Sequence, residues 1–184
     1  NDVLDSDSEL SALVYWVAGL QAGCAVNKST TNEVYDGEYS IKVDYTQKQL
    51  EDALQNGKYI LHRVGNGVRV LDDINTLITY TVDKGQDFAR NQVIRVLDQI
   101  AIDTAIIFNN SFLGKVQNNE SGRTSFWSAL VDHHKELERL QAIDTFDTSN
   151  LVVTQGDSRQ SIVVTDMVKP IDAMTHLYMT VTVN

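Results

Sequence analysis

Two long stretches of helical apolar spacing, set among β-prone runs, constrain this chain more than any other feature. From about residue 86 to about residue 109, Val93, Val96, Leu97, Ile100, Ala101 and Phe108 fall on one side of a 3.6-residue repeat. After the polar turn "KVQNNESG", a further helix is expected from about residue 122 to about residue 140. Its buried stripe is Phe126, Leu130, Leu137 and Leu140, and the rest of its surface is charged. Upstream, "KYILHRVGNGVRVL" alternates around Gly65-Asn66-Gly67, the signature of a β-hairpin with Tyr59 and Leu61 on one side of a sheet. The run "LITYTV", residues 77–82, is expected to form a strand broken by Lys84-Gly85. The tail reads as β: "LVVT", "SIVVTDMV" and "HLYMTVTV", separated by "QGDSRQ" and by Pro170. The expected fold class is α+β, a mixed, largely antiparallel sheet packed against long helices.

Two earlier helices carry start signals. Ser6 and Glu9 stand at capping-box spacing, so a helix is expected from near residue 7 to about residue 23. It is apolar nearly all round, which predicts packing on most sides. Thr46 and Gln49 form a second box. Leu50, Ala53 and Leu54 make that helix's stripe, and Gly57 supplies a left-handed stop. Residues 27–40, "NKSTTNEVYDGEYS", read as a surface connection. The most apolar window, residues 10–26, falls short of the ~20 residues a bilayer span needs, and its upstream flank is acidic. A buried helix without a membrane partner is the better reading. A length of 184 residues suits one substantial domain, or one with part of another. The opening "NDVLDSDSEL" has no methionine and no basic leader, so the chain is expected to be part of something longer, cut upstream.

The sequence argues against most chemistry. With 25 acidic and 15 basic side chains the net charge is -10, unsuited to a general polyanion binder, and no nucleic-acid partner is expected. The single cysteine, Cys24, forms no internal disulfide and reads as a small buried hydrophobe. "GNG" lacks the further glycine and following helix of a phosphate loop. No Cys-x-x-Cys or His-Glu-x-x-His spacing occurs, and the adjacent His133 and His134 point about 100 degrees apart on a helix, a poor pair for one metal. Ser128, Asp132 and His133 share a helix, yet the serine has no sharp elbow to bare its oxygen. A hydrolase using Ser128 and His133 is therefore only a distant alternative. Asp72 and Asp73, adjacent on extended backbone, point to opposite faces and are expected to serve capping, a turn or solvation. Sequons at Asn27, Asn109 and Asn119 carry no meaning without evidence of secretion. No catalytic residue, metal or cofactor is expected.

Several strings are collinear with one family. "DINTLITYTVDKGQDFARNQVIRVLDQIAIDT" resembles the C-terminal part of phage tail sheath proteins, the outer tube of contractile tails. "YWVAGLQAGCAVNKSTTN" looks like the sheath helix and its small-residue turn, and "LEDALQNGKYIL" is similar to the next helix and hairpin. Leu113 to Asn119, followed by "SGR" at 121–123, and the ending "SIVVTDMVKPIDAMTHLYMTVTV" extend the likeness over nearly the whole chain. It is nearest to the short sheath proteins of Gram-positive phages and phage-tail-like particles. "HRVGNGVRVL" and "VDHHKELERLQAID" are more basic or histidine-rich than the family pattern.

The resemblance implies a structural subunit stacking as six-membered rings around an inner tail tube and contracting without nucleotide hydrolysis. The implied partners are other sheath subunits, the tube protein, and baseplate and tail terminator proteins. The implied location is a virion tail or phage-tail-like particle, assembled in the bacterial host cytoplasm. A phage-derived bacteriocin or another contractile injection or secretion machine is the alternative. Residues 1–30 would end the preceding α/β domain, and residues 31–184 would be the C-terminal sheath domain.

Two groups of residues follow as candidates for assembly. In the final ribbon Leu177, Met179, Val181 and Val183 alternate with Tyr178, Thr180 and Thr182, and neither face carries a charge. Proteins normally suppress such an edge. A polymer can use it instead as a strand exchanged between subunits. Lys84, Arg90 and Arg95 are expected to contact the tube or a neighbouring subunit, with salt bridges to Asp87 or Asp98 as the competing expectation. Arg90 and Arg95 are expected just inside the helix. Asp83 and Asp87 occupy its start, which disfavours phosphate there.

Overall fold

A computed structural model describes residues 13–183. The chain divides into two compact units, residues 1–92 with 172–184, and residues 93–171. The boundary expected at residue 30 falls inside the first of them.

The first unit holds α1 (Leu13–Gly23), α2 (Gln47–Gln55), β1 (Leu61–Val64) and β2 (Gly67–Val70). β1 and β2 form the expected antiparallel hairpin, with Leu61 opposite Val70 and Val64 opposite Gly67. Gly65 turns it at φ 59, a left-handed conformation that costs glycine nothing. Residues 32–35 pair along the outer edge of β2: Asn32 N–H donates to the Val70 carbonyl at 2.9 Å and Tyr35 N–H to that of Val68 at 2.8 Å. The core is Leu13, Ile41, Val43, Leu61 and Val70, with Trp16, Val17, Leu20, Tyr35, Tyr39, Tyr59 and Val68 packed against it. Trp16 meets Tyr35 edge-on at 4.9 Å and donates its indole N–H to Asp36 at 2.8 Å. The capping box of α2 is formed as expected, and Gly57 ends that helix at φ 63.

Three expectations in this unit need correction. The start signal at Ser6 and Glu9 lies outside the described residues. Within α1 only Leu13 is buried, while Val14 and Tyr15 are exposed, so the helix packs by one face rather than on most sides. Residues 77–82 form no strand, because no other described segment pairs with them, and Ile78, Tyr80 and Val82 stand in solvent. Cys24 is half-buried rather than buried, with its Sγ 3.4 Å from the Lys28 carbonyl oxygen.

Ahead of α3 (Asn91–Ile107) a 3-10 turn covers Gln86–Ala89. Arg90 caps that turn with extended backbone, φ -92 and ψ 121, so it lies before the helix and not inside it.

In the second unit α3 passes into a π-helical turn at Phe108–Phe112, followed by α4 (Glu120–Arg139), β3 (Leu151–Gln155) and β4 (Ile162–Asp166). Val93, Val96 and Ile100 of α3 are buried as expected, whereas Ala101 faces solvent. Asn119 caps α4 by accepting from the Gly122 N–H at 2.8 Å. Phe126, Leu130, Val131 and Leu151 form the core, and Phe108 and Phe112 close on Phe126 edge-on at 5.5 and 4.9 Å. β3 and β4 pair antiparallel, Leu151 with Asp166 through Gln155 with Ile162, as a sheet of two strands. The third expected tail strand is not formed. Residues 173–183 run exposed, without a pairing partner among the described residues.

Candidate functional site

The base of that exposed ribbon is tied into a polar junction within the first unit. Residues 73–75 run antiparallel to residues 89–91: Asn75 N–H donates to the Ala89 carbonyl at 2.9 Å, and Asn91 N–H to that of Asp73 at 3.0 Å. This pairing brings Arg90 beside Asp72. Arg90 Nη1 donates to Asp72 Oδ2 at 2.7 Å and Nε to Asp172 Oδ2 at 2.6 Å. One residue later, Ala173 N–H donates to the Gln92 side-chain oxygen at 3.1 Å. The ribbon therefore leaves the fold from a point held by an ion pair and a backbone hydrogen bond.

Asp72 and Asp73 both reach the 29–31 turn, and neither is simply solvated. Asp72 accepts from the Thr31 hydroxyl at 3.0 Å as well as from Arg90. Asp73 is fully buried and accepts from the Thr30 N–H at 3.0 Å, Gln21 at 2.7 Å and Asn91 at 2.9 Å. Burial alone would raise the Asp73 carboxyl; these donors outweigh it and hold the group below its ordinary value. Nearby, burial pushes the Tyr59 hydroxyl up to about 12, while its hydrogen bond with Thr30 at 2.9 Å pulls the other way. Asp73 thus joins α1, the 29–31 turn and the start of α3, a satisfied network that fixes one arrangement of this unit.

Arg90 is not the outward contact the sequence led us to expect. Its side chain is 16% exposed and its two partners are Asp72 and Asp172, not Asp87 or Asp98. Burial would lower its affinity for the proton, and the two carboxylates reverse that. Its remaining nitrogen, Nη2, is buried without a hydrogen-bond partner among the described residues. Lys84 is exposed on the loop before α3, and Arg95 is partly exposed on α3 itself.

The ribbon is the other candidate. Leu177, Tyr178, Met179, Val181 and Val183 are all largely exposed, as is Met174, and Thr180 and Thr182 are exposed between them. From residue 173 onward there is no aspartate, glutamate, lysine or arginine. A solvent-facing run of this kind is an unusual expense in a soluble protein unless something covers it.

The sequence-level enzyme alternative gains no geometry. Ser128 is exposed on α4, and no hydrogen bond between described residues joins it to His133. His133 Nε2 instead meets Asp103 Oδ2 at 2.9 Å. Buried His134 meets Asp166 Oδ2 through Nε2 at 2.8 Å. Among the described residues no cluster of three or more histidine, cysteine or carboxylate side chains is arranged to hold a metal ion, and no helix is long and apolar enough to cross a membrane.

Comparison with known proteins places this geometry. The family model of the phage tail sheath C-terminal domain matches residues 83–184, and that of the phage tail sheath protein central domain matches residues 2–76. The phage-like element PBSX protein XkdK of Bacillus subtilis is 27% identical over 178 residues, 92% of this chain and 38% of that protein. The crystal structure of the sheath tail protein from Desulfitobacterium hafniense superposes with a TM-score of 0.81 at 34% identity, over 95% of this chain and 41% of that one. The anti-feeding prophage helical sheath in its contracted state shares the fold at 16% identity and a TM-score of 0.70, over 94% of this chain and 50% of that one. The chain thus spans about two fifths of the length of the curated relatives it matches. With most of its residues matched by these two models, the chain belongs to the phage tail sheath family.

Proposed function

We propose that the chain is the tube-proximal part of a contractile sheath subunit, and that its C-terminal ribbon is the strand by which one subunit grips the next. Subunits stack as six-membered rings around an inner tail tube, bounded by baseplate and tail terminator proteins, and contraction drives the tube through a target envelope. The energy is stored at assembly, so no nucleotide is hydrolysed and the protein is not an enzyme. Assembly takes place in the bacterial host cytoplasm, and the product is a virion tail or a phage-tail-like particle. Relatives of both kinds support these: one named as part of a phage-like element and one as the tail sheath protein of a Clostridium phage.

One observation carries the reading: an uncharged, alternating ribbon that is anchored at Asp172 and Ala173 and then left unpaired by the other described residues. An acceptor is available in kind. The β3–β4 sheet has two strands, so each keeps one edge that no described strand covers, whereas β2 is already flanked by residues 32–35. Backbone hydrogen bonds along such an edge supply grip, and head-to-tail exchange builds an open helix. Lys84 and Arg95 supply contacts to the tube or a neighbour. Arg90 serves the same end indirectly, by holding the base of the ribbon.

Removing residues 175–184 from the full-length protein tests this. The expected result is soluble subunits that form no sheaths, and normal striated cylinders in the electron microscope would refute it. Charge reversal at Lys84 and Arg95 is expected to weaken sheath formation around tubes and to change its salt dependence. Unaltered assembly across salt concentrations would remove those two residues from the account.

A further inference from the structure

Family membership leaves the histidine pair on α4 unexplained. His134 is 1% exposed, and both of its ring nitrogens face oxygens that only accept. Nδ1 lies 2.8 Å from the Leu130 carbonyl oxygen, one turn back on α4, and Nε2 lies 2.8 Å from Asp166 Oδ2 at the end of β4. A carbonyl and a carboxylate each require an N–H, so satisfying both takes a ring with two protons, an imidazolium. We propose that His134 and Asp166 form a proton-operated latch between α4 and the β3–β4 hairpin, tight while the ring carries both protons and loosened when it loses one.

The surroundings agree. On α4, His133 lies edge-on to His134 at 5.3 Å. On α3, Asp103 takes the Nε2 side of His133 at 2.9 Å. The two Nδ1 atoms approach to 3.5 Å, which suits a lone pair facing an N–H rather than two N–H groups. Phe146 packs on His134 at 4.7 Å and adds no charge. Asp166 Oδ1 is buried with no hydrogen-bond partner among the described residues, so the ring is the carboxylate's counterion. Deprotonation at Nδ1 sets that lone pair against the Leu130 carbonyl oxygen. It leaves Asp166, whose side chain is 21% exposed, hydrogen-bonded through Nε2–H but without its counter-charge, so the contact is weakened. Burial pulls His134 down, but Asp166 and the Leu130 carbonyl together lift it above its ordinary value. A histidine raised on folding contributes its full stabilisation below the unfolded value of ~6.5 and loses it as pH climbs through the folded value. The latch therefore loosens on the alkaline side, whether or not a second copy pairs with the hairpin.

Nuclear magnetic resonance of the chain tests this directly. The His134 ring is expected to titrate above the free-histidine value. Amide exchange in residues 151–155 and 162–166, corrected for the intrinsic rate, is expected to accelerate as pH passes that titration. Linkage sets the scale at about tenfold in the opening ratio for each unit by which the folded value exceeds the unfolded one. Asp166→Asn is expected to lower the His134 titration and flatten the pH dependence of exchange, and His134→Gln to remove it. A wild-type ring titrating at or below the free value, or corrected exchange that ignores the titration, would overturn the latch without any variant having to fold.

Discussion

Arg90 sets two carboxylates against one guanidinium, and its removal leaves both partly buried without a cation. Arg90→Ala is expected to cost about 3 kcal/mol in urea denaturation, the scale of breaking such a pair from one side. Arg90→Lys is expected to recover only part of that, since an ammonium lacks the fork that reaches Asp72 and Asp172 at once. Asp73 makes a complementary prediction in pH. Its carboxyl is held below the ordinary value, so its stabilisation is present above the unfolded value of ~3.9 and is lost as pH falls through the folded value. Asp73→Asn is expected to cost about 2 kcal/mol at neutral pH, and the gap to wild type is expected to close as acid protonates the native carboxyl. Neither partnership was visible in the sequence. Local spacing pointed Arg90 at Asp87 or Asp98, but its extended backbone takes it out of helical register, and Asp72 arrives through pairing of chain segments.

What is written locally was legible. The α2 capping box needs only Thr46 and Gln49, three residues apart, and it formed. Thr46→Ala is expected to cost about 1 kcal/mol in thermal or chemical unfolding. Gly57 was readable for the same reason, because a left-handed stop is a property of one residue. A Cβ there would meet Ile78 Cγ2 at 2.9 Å and Thr76 Cα at 3.0 Å on a backbone at φ 63. Gly57→Ala is therefore expected to cost at least the ~1–2 kcal/mol of the left-handed conformation, measured in the same way. Strands were legible only where the partner was close in sequence. The β1–β2 hairpin carries its own turn, and β3 and β4 lie a short turn apart. "LITYTV" and "HLYMTVTV" have the residue types of strands but no partner in the described chain, and β propensity reports fitness for a sheet rather than the presence of one. The apolar circumference of α1 misled in the same way: it announces something to bury, and Val14 and Tyr15 stay exposed among the described residues.

At the scale of the molecule, these unburied segments are the surfaces that the proposed exchange between copies would cover. The family was legible because collinear strings over the whole length preserve it; the ion-pair junction and the histidine latch were not, since each gathers residues distant in sequence. The ribbon offers the sharpest separation between folding and assembly. Because Tyr178 and Thr180 touch solvent in the isolated chain, Tyr178→Lys with Thr180→Lys is expected to leave its unfolding midpoint within the ~0.5 kcal/mol typical of surface changes. In the full-length protein the same lysines fall on the strand proposed to enter a neighbour's sheet, where added charge is how natural edges refuse pairing. Unfolding measurements should then show two indistinguishable isolated chains, and electron microscopy should show sheaths from the wild type alone. If the doubly charged ribbon still assembles into full-length sheaths, the ribbon is not the grip, and the contacts between subunits must be sought on α1 or on residues 77–82.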